Sequence, residues 1–226
     1  LSADAPMANP DRVSFLGQAA TGANFIPLWR RWPADLDTPL STWLKVGHGR
    51  PYGLLLESVE GGDQLGRWSF VGSDPLWVLT ARGAQASLQH RDGRNETLAG
   101  DPFELLRQQL AAYVSVPIPG LPPVGQLFGF WGYELIQWIE ATVPVHPTAA
   151  ADPPDGCWML CDSLLVFDQV RRQITAVAYA HLGEGADAEA AYDEAEARLS
   201  ALEERLHQPL PSSVAPLRWH DRNAND

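Results

Sequence analysis

Short apolar segments separated by regularly recurring turn signals run from Pro51 onward, and this alternation constrains the fold more than any other feature of the chain. Gly61-Gly62, Gly72-Ser73-Asp74-Pro75, Gly83 and Asp92-Gly93 punctuate the sequence about every ten residues, which is the spacing of antiparallel sheets. Residues 53–58, 67–71, 76–81 and 84–90 are the strand candidates between them, and Asp92-Gly93 is a hairpin turn. A further strand is expected over 125–131, and a later hairpin has arms at 158–167 and 173–181, rich in apolar and β-branched residues.

Helices interrupt this β-rich block. At Asp101-Pro102-Phe103-Glu104, Asp101 can cap, Pro102 occupies the first helical position and Glu104 closes a capping box; Phe103, Leu106, Leu110 and Tyr113 form the buried stripe. Shorter helices are expected over 41–46 and 133–140, with prolines 117, 119, 122 and 123 breaking the chain between. Residues 186–207 form an amphipathic helix that places Tyr192, Ala195, Leu199, Leu202 and Leu206 on one stripe and turns most of its acidic residues to water. Glu194 and Arg198, four apart, pair for about 0.3 kcal/mol. The reading is α+β: largely antiparallel sheets with packed helices. Residues 1–23 read as a poorly defined extension and 209–226, with Pro209, Pro211 and Pro216, as a linker.

Composition excludes several functions. The 226 residues are 45% hydrophobic and include nine Trp, enough for a sizeable core, and the net charge of −12 opposes nucleic acid and anionic membrane surfaces. No apolar run approaches the roughly 20 residues that span a bilayer, and the first residues lack the basic and apolar regions of a signal peptide, so a cytoplasmic address is expected. Cys157 and Cys161, four apart on one strand, would sit about 13 Å from each other, too far for a disulfide, and read as core thiols in a reducing compartment. His48, His90, His146, His181, His207 and His220 are scattered singly, the densest acidic group is the solvated face of the late helix, and no metal site is assigned.

Two stretches carry chemistry. In Leu54-Leu55-Leu56-Glu57-Ser58, both faces of the strand are apolar, so its polar end needs partners, and Arg67 on the returning strand can supply a charge. One reading is an internal Glu57–Arg67 ion pair. The other is a site for a small zwitterion: Glu57 and Ser58 receive an ammonium, Arg67 a carboxylate, and the leucines wall the side chain. In Gly125-Gln126-Leu127-Phe128-Gly129-Phe130-Trp131-Gly132, the glycines lie in a strand and signal a bulge or the close approach of another backbone, not a dinucleotide loop.

These stretches, with Asn24-Phe25-Ile26-Pro27-Leu28, Asp35-Leu36-Asp37-Thr38-Pro39-Leu40, Gly66-Arg67-Trp68-Ser69-Phe70, and Pro154-Asp155 through to Phe167-Asp168, resemble the amino-terminal region of anthranilate synthase component I, in the family of chorismate-utilising enzymes. The resemblance covers residues 24–180; residues 181–208 are the amphipathic helix. It implies an incomplete part of that family's fold, and an enzyme making anthranilate from chorismate with magnesium and ammonia from a glutamine amidotransferase small subunit. It also implies feedback inhibition by L-tryptophan, at a site that includes Glu57 and Ser58, with Arg67 as a basic partner. Trp68 stands where the family more often has Tyr. The family's chorismate and magnesium ligands lie in a carboxyl-terminal region whose motifs do not occur here, so no catalytic residue is assigned and the chain alone is expected to be inactive. Aminodeoxychorismate synthase component I and a non-catalytic amino-acid-binding module are the competing readings.

Overall fold

In a computed structural model of the chain, the described residues are 7–57, 66–122, 127–140, 142–144 and 152–211. They form two five-stranded antiparallel sheets. The first contains β1 (Phe25–Pro33), β2 (Leu54–Glu57), β3 (Trp68–Gly72), β9 (Ser163–Asp168) and β10 (Gln173–His181), in the order β1-β10-β9-β3-β2. The second contains β4 (Trp77–Arg82), β5 (Gln85–His90), β6 (Asn95–Ala99), β7 (Leu127–Trp131) and β8 (Gly156–Leu160), in the order β6-β5-β4-β8-β7. Pro27 and Pro33 are accommodated because β1 is an edge strand.

The first sheet is covered on both sides, which explains the unbroken apolar run of β9. Leu165 and Phe167 join Ile26, Leu28, Ile174 and Ala176 against α1 (Arg12–Ala20), α2 (Pro39–Val46) and α5 (Ala188–Leu206). Leu164 and Val166 point the other way, with Val177 and Tyr179, onto Trp77, Leu79, Leu88 and Leu160 of the second sheet. The remaining helices are α3 (Pro102–Ala111), a 3-10 turn (Tyr133–Leu135) and α4 (Ile136–Ile139).

Several expectations are refined. Residues 158–167 are not one hairpin arm: β8 ends at Leu160 in the second sheet and β9 starts at Ser163 in the first. The chain changes sheets at Cys161-Asp162, and Asp162 is locked there by Arg91 (2.8 and 2.6 Å), while its carbonyl accepts the Tyr179 N–H (2.7 Å). Arg198 does not pair with Glu194. It donates to the Tyr179 carbonyl (2.6 Å), and its Nε lies 3.6 Å from Asp162. Parts of the acidic face of α5 likewise meet cations: Arg30 of β1 reaches Glu203 (2.7 Å) and Glu196 (3.7 Å).

Within the stretch read as an extension, Asp11 caps α1 through the Ser14 N–H (2.8 Å), Phe15 is fully buried edge-on to Tyr192, and Arg12 pairs with Glu189 and Asp193. Asp101 caps α3 as expected, through the Phe103 N–H (2.9 Å), but Glu104 pairs with Arg107 (3.3 Å) in place of closing a box. The reciprocal box is at α2, where Thr38 and Ser41 exchange bonds and the helix starts at Pro39, earlier than read. The expected helix over 133–140 is a 3-10 turn followed by a single α turn. β6 was hidden by its polar sequence, Asn95-Glu96-Thr97-Leu98-Ala99. Both cysteines are free; burial pushes the Cys161 thiol up to about 12. Among the described residues, no helix is long and apolar enough to cross a membrane.

Candidate functional site

The Leu-Leu-Leu-Glu strand lies at the edge of the first sheet, next to β3 and in the register Leu54↔Gly72, Leu55↔Val71, Leu56↔Phe70 and Glu57↔Ser69. Its two apolar faces are covered over the first half of the strand only. Leu54 is buried and Leu55 half-buried, but Leu56 is 50% exposed and Glu57 is exposed beyond it. The strand therefore carries its carboxylate out of the core at the edge of the sheet, beside a half-exposed apolar side chain. Ser58 lies outside the described residues.

Arg67 does not form the internal pair with Glu57. Its Nε and Nη2 grip Asp168 at 3.0 and 2.6 Å, and its guanidinium lies 4.5 Å above the Trp68 ring. The register explains the choice: Trp68 is opposite Asp168, and the Arg67 carbonyl accepts the Gln169 N–H (2.8 Å), so Arg67 meets the end of β9 before it can reach β2. Ser69, fully buried, accepts from Gln169 Nε2 (3.1 Å). Nη1 is the Arg67 donor that Asp168 does not use.

Asp168 holds the whole corner. Besides Arg67 it accepts the N–H groups of Val170 (3.2 Å) and Arg171 (3.1 Å), closing the β9–β10 turn in which Arg172 has φ 51°. Burial alone would raise its carboxyl, but the hydrogen bonds from Arg67, Arg171 and Val170, with the Arg67 charge, together hold it below the usual carboxylate range. A carboxyl depressed in the folded state adds stability above its unfolded value of about 3.9, and that stability is lost as the pH falls through the folded value. Asp168→Asn is thus expected to unfold at lower urea than the parent at pH 6. The difference should close as the pH is taken below about 3.9; a gap independent of pH would contradict the assignment.

The glycine-rich strand is β7, and the close-approach reading holds at Gly129. It pairs with Trp158, and a Cβ built on it would lie 2.1 Å from the Cys157 carbonyl oxygen. Its neighbour strand reciprocates: a Cβ on Gly156 would lie 2.2 Å from the Trp131 ring. Asp155, in the Pro154-Asp155 motif, is buried and accepts the Gly83 N–H (2.5 Å), while its carbonyl accepts the Gly132 N–H (2.6 Å). These motifs shape the second sheet. Sequence reasoning missed Asp162 and Asp168 as anchors because their arginine partners lie 71 and 101 residues away.

No family model matches the chain. It is 50% identical over 206 residues to anthranilate synthase component 1 of a Synechocystis species, across 90% of this chain and 41% of that protein. It is 36% identical over 205 residues to the Pseudomonas putida protein of the same name, across 88% of this chain and 40% of that one. The Mycobacterium tuberculosis protein is 36% identical over 199 residues, across 84% and 38%. The crystal structure of anthranilate synthase component I from Streptococcus pneumoniae shares the fold, with a TM-score of 0.51 and 21% identity over 80% of this chain and 38% of that one. The chain spans about 40% of the length of the curated relatives it matches, and over that span it is a homologue of anthranilate synthase component 1.

Proposed function

We propose that a polypeptide of its relatives' full length containing this chain converts chorismate to anthranilate, with this part serving as scaffold and as the site of feedback inhibition by L-tryptophan. The observation that carries the reading is the 50% identity over 90% of the chain to a protein named for that activity. Ammonia would come from a glutamine amidotransferase small subunit. Magnesium would assist at the substrate, but among the described residues no three His, Cys, Asp or Glu side chains gather to hold a metal ion, so none here is given that role.

For tryptophan, the open end of β2 supplies the chemistry. Glu57 and Ser58 receive the ammonium, Arg67 offers Nη1 to the carboxylate while Asp168 holds its other donors, and Leu56 offers apolar surface. A ligand that binds one arrangement of this edge better than another shifts the population toward it, and inhibition follows when that arrangement is the less active one.

The test is fluorometric detection of anthranilate when the full-length polypeptide is given chorismate, magnesium and ammonia. Anthranilate is expected from it and none from the 226-residue chain alone. Accumulation of aminodeoxychorismate in its place would overturn the reading.

A further inference from the structure

We propose that a cavity of about 580 Å³ beside α5, at the other end of β2 from Glu57, binds a small organic anion with an apolar body. Its volume lies in the range of small-molecule sites. Arg91, Arg198 and Arg205 line it, together with Tyr52, Val78 and Leu202.

The charges around the cavity do not cancel. Asp162, 3% exposed, is occupied by both ends of the Arg91 fork, with Arg198 Nε 3.6 Å away. Asp74 accepts from Arg50 at 2.8 Å, and Arg205 Nη1 stands 3.5 Å from the same oxygen. Four guanidiniums thus share two carboxylates, a local positive excess in a protein whose net charge is −12. His90, also on the wall, contacts Glu96 at 3.0 Å.

Two of these guanidiniums have nitrogens that meet their carboxylates only at ion-pair distance. Arg198 Nε and Arg205 Nη1 make no hydrogen bond among the described residues, and the two side chains stay partly exposed where they line the cavity. Positive charge that the two carboxylates leave unneutralised, on arginines that line the cavity, favours a carboxylate there. The apolar wall then selects the rest of the ligand. Val78 and Leu202 are buried, and Tyr52 is 43% exposed with its hydroxyl donating to Gln89 Oε1 (3.1 Å). Tyr52 also holds a left-handed φ of 57°, unusual for an aromatic residue and frequent where a site fixes a side chain.

The test is calorimetric titration of the chain with phenylacetate, with phenethylamine (the same ring with the opposite charge) and with inorganic phosphate. Phenylacetate is expected to bind one to one, at least about tenfold tighter than either of the others, equivalent to about 1.4 kcal/mol. Arg205→Gln, which leaves the Arg91–Asp162 lock intact, should weaken it by about tenfold. Ala201→Phe, which fills the cavity from α5, should abolish it. The proposal is overturned by absence of saturable phenylacetate binding, by equal binding of phenethylamine, by phosphate binding as tightly as phenylacetate, or by unchanged affinity in either folded variant.

Discussion

Asp162→Ala is expected to destabilise the chain by about 3 kcal/mol, the lower end of the scale for breaking a buried ion pair, because the carboxylate is buried but Arg91 is partly exposed. The carboxylate sits where the chain leaves the second sheet for the first, 3% exposed and gripped twice by Arg91. Its loss leaves the Arg91 guanidinium, and that of Arg198 at 3.6 Å, without their anion in partly buried positions. It also opens a hole beside Cys161, which is fully buried. For a chain of this size, about 3 kcal/mol lowers the melting temperature by roughly 9 °C. Urea unfolding and thermal melts measure both, and a loss under about 1 kcal/mol would show that the corner is held by the strands alone.

Gly129→Ala is expected to cost about 3 kcal/mol, the upper part of the usual range for overpacking. The added Cβ would fall 2.1 Å from the Cys157 carbonyl oxygen and 2.7 Å from the Trp158 Cα. Both are backbone atoms of the paired strand, so no side-chain rotation relieves the clash and β7 must move away from β8. Gly183→Ala is the matched control: nothing lies within 4 Å of its Cβ. That substitution should change stability by less than about 0.5 kcal/mol. Equal effects at the two positions would contradict the close-approach reading.

How much of this was legible beforehand depends on the distance between cause and effect along the chain. The Asp101 cap, the turn at Asp92-Gly93 and the stripe Tyr192, Ala195, Leu199, Leu202 and Leu206 are local patterns, and the structure has each of them. The corner at Asp162 was not legible. Residues 158–167 read as one apolar strand, and only Arg91, far upstream, reveals why a carboxylate interrupts it. Arg67 is the same case, because Glu57 is ten residues away in sequence while its actual partner is Asp168, brought to it by the β3–β9 register.

The proposed zwitterion site was legible only as residue types. Glu57 and Arg67 had an equally good internal pairing on pattern alone; the structure removes that pairing, leaving Glu57 exposed at the sheet edge. The arginine-lined cavity had no signature at all, since Arg91, Arg198 and Arg205 come from a turn and a helix that only the fold brings together.

Tryptophan inhibition of the full-length polypeptide carrying Ser58→Ala tests the proposed role of this chain most directly. Loss of one hydrogen bond to a charged group should raise the inhibition constant about tenfold, while turnover without tryptophan stays within about twofold of the parent. An unchanged inhibition constant with turnover intact would contradict the assignment of the β2 end as the inhibitor site.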